Sequence, residues 1–143
     1  MGSDLSLMAV RRVHLVAVCG VGMAALAGMF KRAGVEVTGS DENVYPPMSL
    51  VLERLGVPVM LGHRAENLAV RPDLVVIGNK VSRDNAEVQA VLASGVPYAS
   101  FPEALSRFFI AGHRSLVVAG THGKTTSTAM LAWVLQCAGR DPG

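Results

Sequence analysis

R-V-H-L-V-A-V-C-G-V-G-M-A-A-L-A-G-M-F-K-R-A-G-V-E-V-T-G-S-D, residues 12–41, is the stretch whose reading decides the fold. Its first part, 12–19, is an apolar run rich in β-branched residues. It lacks the in-out alternation of a half-exposed strand, so it predicts a strand covered on both faces. The run breaks at Gly20, and from Met23 to Ala33 the Ala, Leu, Met and Phe residues fit a helix that Gly34 ends. A second apolar run, 35–39, follows. Strand, glycine turn, helix and strand together open a parallel α/β unit.

The turn itself reads G-x-G-x-x-A at Gly20, Gly22 and Ala25. In such a turn the first glycine permits the tight bend and the second lets the backbone approach a diphosphate. The small third residue lets helix and strand pack closely, while the helix N-terminus supplies N–H donors and a favourable dipole. Asp41 follows the second strand about twenty residues on, where these folds place an acid to receive a ribose or base donor. The same residues also have a purely structural reading, with the glycines serving close packing and Asp41 capping the turn S-D-E-N. NAD is the default nucleotide for this fingerprint, but no other feature of the chain speaks for hydride chemistry.

Outward from this stretch, strands are expected near 57–61, 74–78, 96–100 and 115–119, with helices between them. One helix follows Pro46-Pro47 and ends at Gly56. Another begins near Asp84, read as its cap, and ends at Gly95; a third has Pro102 in its first turn, and the last runs to Gly139. The expected fold class is α/β, a Rossmann-like doubly wound parallel sheet followed by the first strand and helix of a P-loop domain. A polar break, A-G-H-R at 111–114, sets the expected organisation: 1–11 a tag or disordered start, 12–111 the nucleotide domain, and 112–143 the start of a second domain.

A chain of 143 residues, half of them hydrophobic and 17% charged, can bury one core. The net charge of +2 is spread out, which argues against a nucleic-acid or membrane-surface binder and leaves small anionic ligands open. Arg11-Arg12, an apolar run and Lys31-Arg32 have the outline of a signal peptide or anchor. His14 and three glycines interrupt it, so a buried strand turning into a helix fits better. Cys19 and Cys137 read as free, buried, small hydrophobes in a reducing cytoplasm, and neither has metal-ligand spacing.

A second glycine loop, G-T-H-G-K-T-T at 120–126, stands between S-L-V-V-A and the helical run S-T-A-M-L-A-W-V-L-Q-C-A. It is shorter than G-x-x-x-x-G-K-[ST] because position 118 is Val. The chemical parts remain: amides around Gly120, Thr121 and Gly123 to surround phosphate oxygens, Lys124 to neutralise the β and γ phosphates, the Thr125 hydroxyl for Mg²⁺, and Thr126 to assist. A buried lysine is expected here. His122 either contacts a phosphate or is an exposed loop histidine. Met130, Trp133, Val134 and Cys137 fall at helical spacing and read as core.

Two nucleotide loops of different type about a hundred residues apart, the second as G-T-x-G-K-T-T, resemble the Mur ligases of bacterial cell-wall synthesis, and the likeness runs from Val13 to Gly139. The resemblance implies an N-terminal Rossmann-like domain that holds the UDP of a UDP-N-acetylmuramoyl substrate, and a central domain, here cut short, that binds ATP with Mg²⁺. It also implies a further domain for the amino acid or peptide, and a cytoplasmic enzyme of peptidoglycan synthesis or recycling. By this likeness Gly20, Val21, Gly22 and Met23 hold the diphosphate, Asp41 meets the uridine, and Gly78 and Asn79 line the same crevice. Gly120, Thr121, His122, Gly123, Lys124, Thr125 and Thr126 hold ATP, with Lys124 and Thr125 catalytic and Thr125 on the metal.

Within the family, D-E-N-V-Y-P-P-M-S at 41–49, V-I-G-N at 76–79 and V-S-R at 81–83 look most like the branch that joins UDP-N-acetylmuramate to a murein tripeptide. The branch that adds L-alanine shares H-L-V-A-V-C-G-V-G-M at 14–23 but more often has serines at positions 78 and 79. The implied reaction is amide formation through an acyl phosphate, and these residues alone are expected to bind the UDP-substrate without turnover. An NAD-binding oxidoreductase and a regulatory nucleotide-binding module are the readings from other classes. Lys80 and His63 are weaker candidates: the first reads as a solvated lysine, and the second either reaches the UDP-sugar or finishes a turn.

Overall fold

A computed structural model describes residues 9–142. The chain divides into two compact units, meeting in sequence at Ala111 and Gly112.

In the first unit five strands form one parallel sheet in the order β3-β2-β1-β4-β5: β1 (Arg12–Val16), β2 (Glu36–Asp41), β3 (Val59–Leu61), β4 (Leu74–Ile77) and β5 (Tyr98–Ser100). β1 lies in the middle, with Val16 registered against Ser40 on one side and Ile77 on the other. It stops three residues short of the expected end because Ala17 turns to a φ of 64°, outside strand geometry. The chain then rejoins the sheet edge, where the Val18 amide donates to the Ser40 carbonyl at 3.0 Å. Val18 crosses β2 so tightly that a Cβ on Gly39 would lie 2.6 Å from the Val18 Cβ. Only glycine fits there.

Alternation along β1 divides its side chains between two layers. Val13 and Leu15 join the large core, shared with helices α1 (Val21–Arg32), α2 (Met48–Arg54) and α4 (Phe101–Leu105), the last continued by a π-helical turn Ser106–Ile110. Phe30 is fully buried there and meets Phe108 and Phe109 edge-on, with centroids 5.7 and 5.0 Å away. Val16 joins a smaller cluster with Val75 and with Val91 of α3 (Ala86–Ser94), flanked by Leu68 of a 3₁₀ turn, Ala65–Val70. Helices on both faces of a parallel sheet make the doubly wound arrangement expected from the sequence.

Several local expectations are corrected. The cap of α3 is Asn85, not Asp84: its backbone is extended, and its Oδ1 accepts from the amides of Glu87 and Val88 at 2.9 and 3.3 Å. Ordered structure begins before the boundary drawn at residue 12, since Val10 is buried and the amides of Arg11 and Arg12 donate to Asp73 Oδ2 at 3.0 and 2.8 Å. Residues 1–8 of the expected loose start lie outside the described residues.

The second unit contains α5 (Lys124–Cys137) but no strand at 115–119. A strand requires a ladder partner, and among the described residues of this unit there is none. Met130, Trp133, Val134 and Cys137, expected in a core, are all exposed, as is Lys124, expected to be buried. Among the described residues no helix is long and apolar enough to cross a membrane.

Candidate functional site

Going out from β1 in the two directions, the order β3-β2-β1 and β4-β5 reverses the chain path, so the crevice at the C-terminal ends of β1 and β4 is the switch point where such sheets take ligands. Gly20, Val21, Gly22 and Met23 follow β1 there, Asp41 ends β2, and Gly78 and Asn79 follow β4. The first candidate set therefore shares one sheet edge.

α1 begins at Val21 without a side-chain cap, and the first bonded amide is that of Ala24, which donates to the Gly20 carbonyl at 2.8 Å. The preceding first-turn amides and the positive end of the helix dipole are therefore suited to an anion. Val21 is exposed, whereas the Met23 side chain is buried, so Met23 can offer a ligand only its backbone. A Cβ on Gly22 would meet the Phe101 ring at 3.2 Å, which gives this glycine a packing reason as well. Ala25 is exposed, and the small-residue packing expected of it falls to buried Ala24 and Gly28.

Asp41 is almost fully buried and already engaged: Oδ2 accepts from the Cys19 amide and Oδ1 from the Asn43 amide, both at 2.9 Å. It joins the glycine turn to the turn after β2, and with the Cys19 thiol as a further donor it still keeps part of its acceptor capacity. Burial, followed by the Asp41 charge and hydrogen bond, pushes the Cys19 thiol up to about 11, so it is no nucleophile at neutral pH. Both cysteines are free. Gly78 is constrained too, its amide donating to the Val16 carbonyl at 3.0 Å and a Cβ there lying 3.0 Å from the same oxygen. Asn79 and Lys80 are exposed.

Sequence reasoning missed Glu87, which is buried at 0% exposure on α3. Its Oε1 is 2.7 Å from His14 Nε2, and its Oε2 accepts from the Ser40 hydroxyl at 2.7 Å and faces His63 Nδ1 at 3.0 Å. His14 Nδ1 reaches the Thr38 hydroxyl at 2.8 Å. Burial pushes the Glu87 carboxyl up, but the hydrogen bonds from His14 and Ser40, the His14 charge and the His63 bond together outweigh it and hold the group below the ordinary glutamate range. A signal for this quartet stood in the sequence. A histidine inside a buried apolar strand needs a polar partner.

In the second unit, Gly123 caps α5 in the left-handed region, φ 76°, with no side-chain cap. Lys124 Nζ folds back to the Gly120 and Thr121 carbonyls at 2.8 and 3.3 Å, and Thr125 and Thr126 occupy the first turn of α5. A cationic head beside a glycine turn and a helix N-terminus with hydroxyls is a donor set that fits a polyphosphate. For a metal, Thr125 offers a single oxygen. Among the described residues no group of three or more His, Cys, Asp or Glu could hold one.

The profile described as "Mur ligase family, catalytic domain" matches residues 12–113, most of the chain and all of the sheet. The chain belongs to the Mur ligase family. It is 47% identical over 132 residues to the UDP-N-acetylmuramate–L-alanyl-γ-D-glutamyl-meso-2,6-diaminoheptandioate ligase of Escherichia coli, covering 92% of this chain and 29% of that one. To the UDP-N-acetylmuramate–L-alanine ligase of an Arthrobacter species it is 43% identical over 137 residues, 96% of this chain and 29% of that one. The crystal structure of the corresponding L-alanyl-γ-D-glutamyl-meso-diaminopimelate ligase from Neisseria meningitides superposes with a TM-score of 0.86 at 46% identity, over 90% of this chain and 40% of that one. The chain thus spans 29% of the length of these curated Mur ligase relatives.

Proposed function

We propose that this chain is the UDP-substrate-holding part of a cytoplasmic Mur ligase that joins UDP-N-acetylmuramate to L-alanyl-γ-D-glutamyl-meso-diaminopimelate. The observation that carries the reading is the uncapped start of α1 at the switch point, within a sheet of this family. The amides of Val21, Gly22 and Met23 bind the diphosphate, Gly20 gives it room, Asp41 takes a uridine donor on its remaining lone pairs, and Gly78 and Asn79 border the crevice. Residues 12–111 form that nucleotide domain, and 112–143 contribute to ATP binding.

In the second unit the loop amides from Gly120 to Gly123 and the Lys124 ammonium bind the triphosphate. Lys124 would exchange its present carbonyl partners for phosphate oxygens, and Thr125 would offer Mg²⁺ one hydroxyl, with Thr126 beside it. ATP would supply the phosphoryl group, leaving as ADP, to turn the substrate carboxylate into an acyl phosphate, which the deprotonated peptide amine would displace with release of phosphate and a proton. The chain's residues bind and orient; none of them is placed as the base for that amine. The identity to the L-alanine ligase supports L-alanine as a second reading of the acceptor.

Thermal melting of the 143-residue chain tests the proposal. At a ligand concentration one hundred times Kd, binding adds about 2.7 kcal/mol to stability, so UDP-N-acetylmuramate should raise the Tm by several degrees while NAD leaves it unmoved. A rise with NAD and none with the UDP-sugar would overturn the reading.

A further inference from the structure

The buried quartet ends at the same sheet edge as the glycine turn. His63 lies two residues beyond β3, and the preceding Gly62 amide donates to the Asp41 carbonyl at 2.8 Å, which ties this loop to the end of β2. The proton inventory of the quartet fixes how His63 is held. Ser40 spends its one hydroxyl proton on Glu87, so toward His63 Nδ1, 3.3 Å away, it can only accept. Ionised Glu87 can likewise only accept. Both neighbours therefore require a proton on Nδ1, and in the neutral ring Nε2 bears the lone pair. Nε2 has no partner among the described residues, where no buried side-chain nitrogen or oxygen is left unpaired, so Nε2 is the end of the ring that reaches solvent. The side chain as a whole is 8% exposed.

We propose that Glu87 is a positioning residue for nucleotide-substrate binding: its carboxylate holds His63 in the Nδ1–H tautomer and so presents Nε2 as a hydrogen-bond acceptor for an N–H or hydroxyl of the nucleoside or sugar. In that tautomer a diphosphate oxygen is not a partner for Nε2, because a lone pair facing phosphate oxygens repels them. This rests on the reading of the crevice as a UDP-substrate site. It adds a residue with no contact to the ligand, acting through one 3.0 Å bond, and it assigns His63 an acceptor role rather than a cationic one.

The test combines calorimetric titration of the 143-residue chain with UDP-N-acetylmuramate and long-range ¹H–¹⁵N NMR of the imidazoles. The wild-type spectrum should show His63 as the Nδ1–H tautomer, a result that needs no variant to fold. Glu87→Gln and His63→Ala, each checked for a native melt, should both weaken binding about tenfold, the loss of one net hydrogen bond. The double variant should bind no more weakly than His63→Ala alone, a non-additivity that a merely structural role for Glu87 would not produce. If the wild type binds but His63 is the Nε2–H tautomer or the doubly protonated imidazolium, or the two losses multiply, the role of Glu87 is refuted and the UDP-site reading stands. If the wild type does not bind the UDP-sugar, both fall.

Discussion

On one face of the sheet Phe30, Leu15, Leu26 and Leu52 are sealed together with apolar side chains only. On the other face, His14, Ser40 and Glu87 lie equally deep, with just Val16, Val75 and Val91 among the described residues as fully buried apolar members of the cluster there. The first face is held by area removed from water and by close packing. The second carries desolvated polar groups, which break even only when every donor and acceptor is matched, as they are here. The first face therefore supplies stability, and the second gives up some stability for a fixed arrangement of hydrogen bonds running to the C-terminal edge of the sheet.

The largest expected effect lies on the apolar face. Phe30→Ala should cost about 3–5 kcal/mol in urea unfolding at neutral pH, since it empties the place where three rings meet. A loss under about 1 kcal/mol would show that this layer is not the stabilising one. On the polar face, Glu87→Ala should cost about 3 kcal/mol by stranding His14 and Ser40 without an acceptor. Replacing the buried set together, as His14→Leu, Ser40→Ala and Glu87→Leu, should recover most of that loss. If the triple variant is as unstable as Glu87→Ala, the quartet is itself stabilising and the contrast between the faces collapses.

Acid gives the smallest and most selective effect. Glu87 titrates lower in the folded chain than in the unfolded one, so its contribution is fully present above the ordinary glutamate value of 4.5 and is lost as pH falls through the lower folded value. The penalty of Glu87→Ala relative to wild type should therefore shrink below about pH 4.5, while that of Phe30→Ala should not change. Denaturant melts of both variants at neutral and acid pH check this, and parallel curves for the two would count against the assignment.

The sheet was readable because most of its strands lie in short apolar runs punctuated by Gly20, Gly34, Gly56 and Gly95, and period and punctuation are local properties. The same locality explains the misses. The segment 115–119 has the composition of a strand, but a ladder needs a neighbour, and composition does not report one. Ala25 occupied the third place of the fingerprint, yet helix phase turns it outward and puts Ala24 and Gly28 against the fold. At the site, the loop carrying Gly20 and Gly22 was visible in the spacing, whereas Glu87 was not, because its partners His14, Ser40 and His63 come from three separate stretches that only the topology brings together.

The crossing of Val18 over Gly39 ties two positions that are 21 residues apart to one small volume. A methyl group at 39 has nowhere to go unless position 18 shrinks, and a larger residue at 18 would press on the β2 backbone beside Ser40. Enlargement at either place is thus admissible only with a matching reduction at the other, which makes this crossing a fixed pivot of the sheet edge.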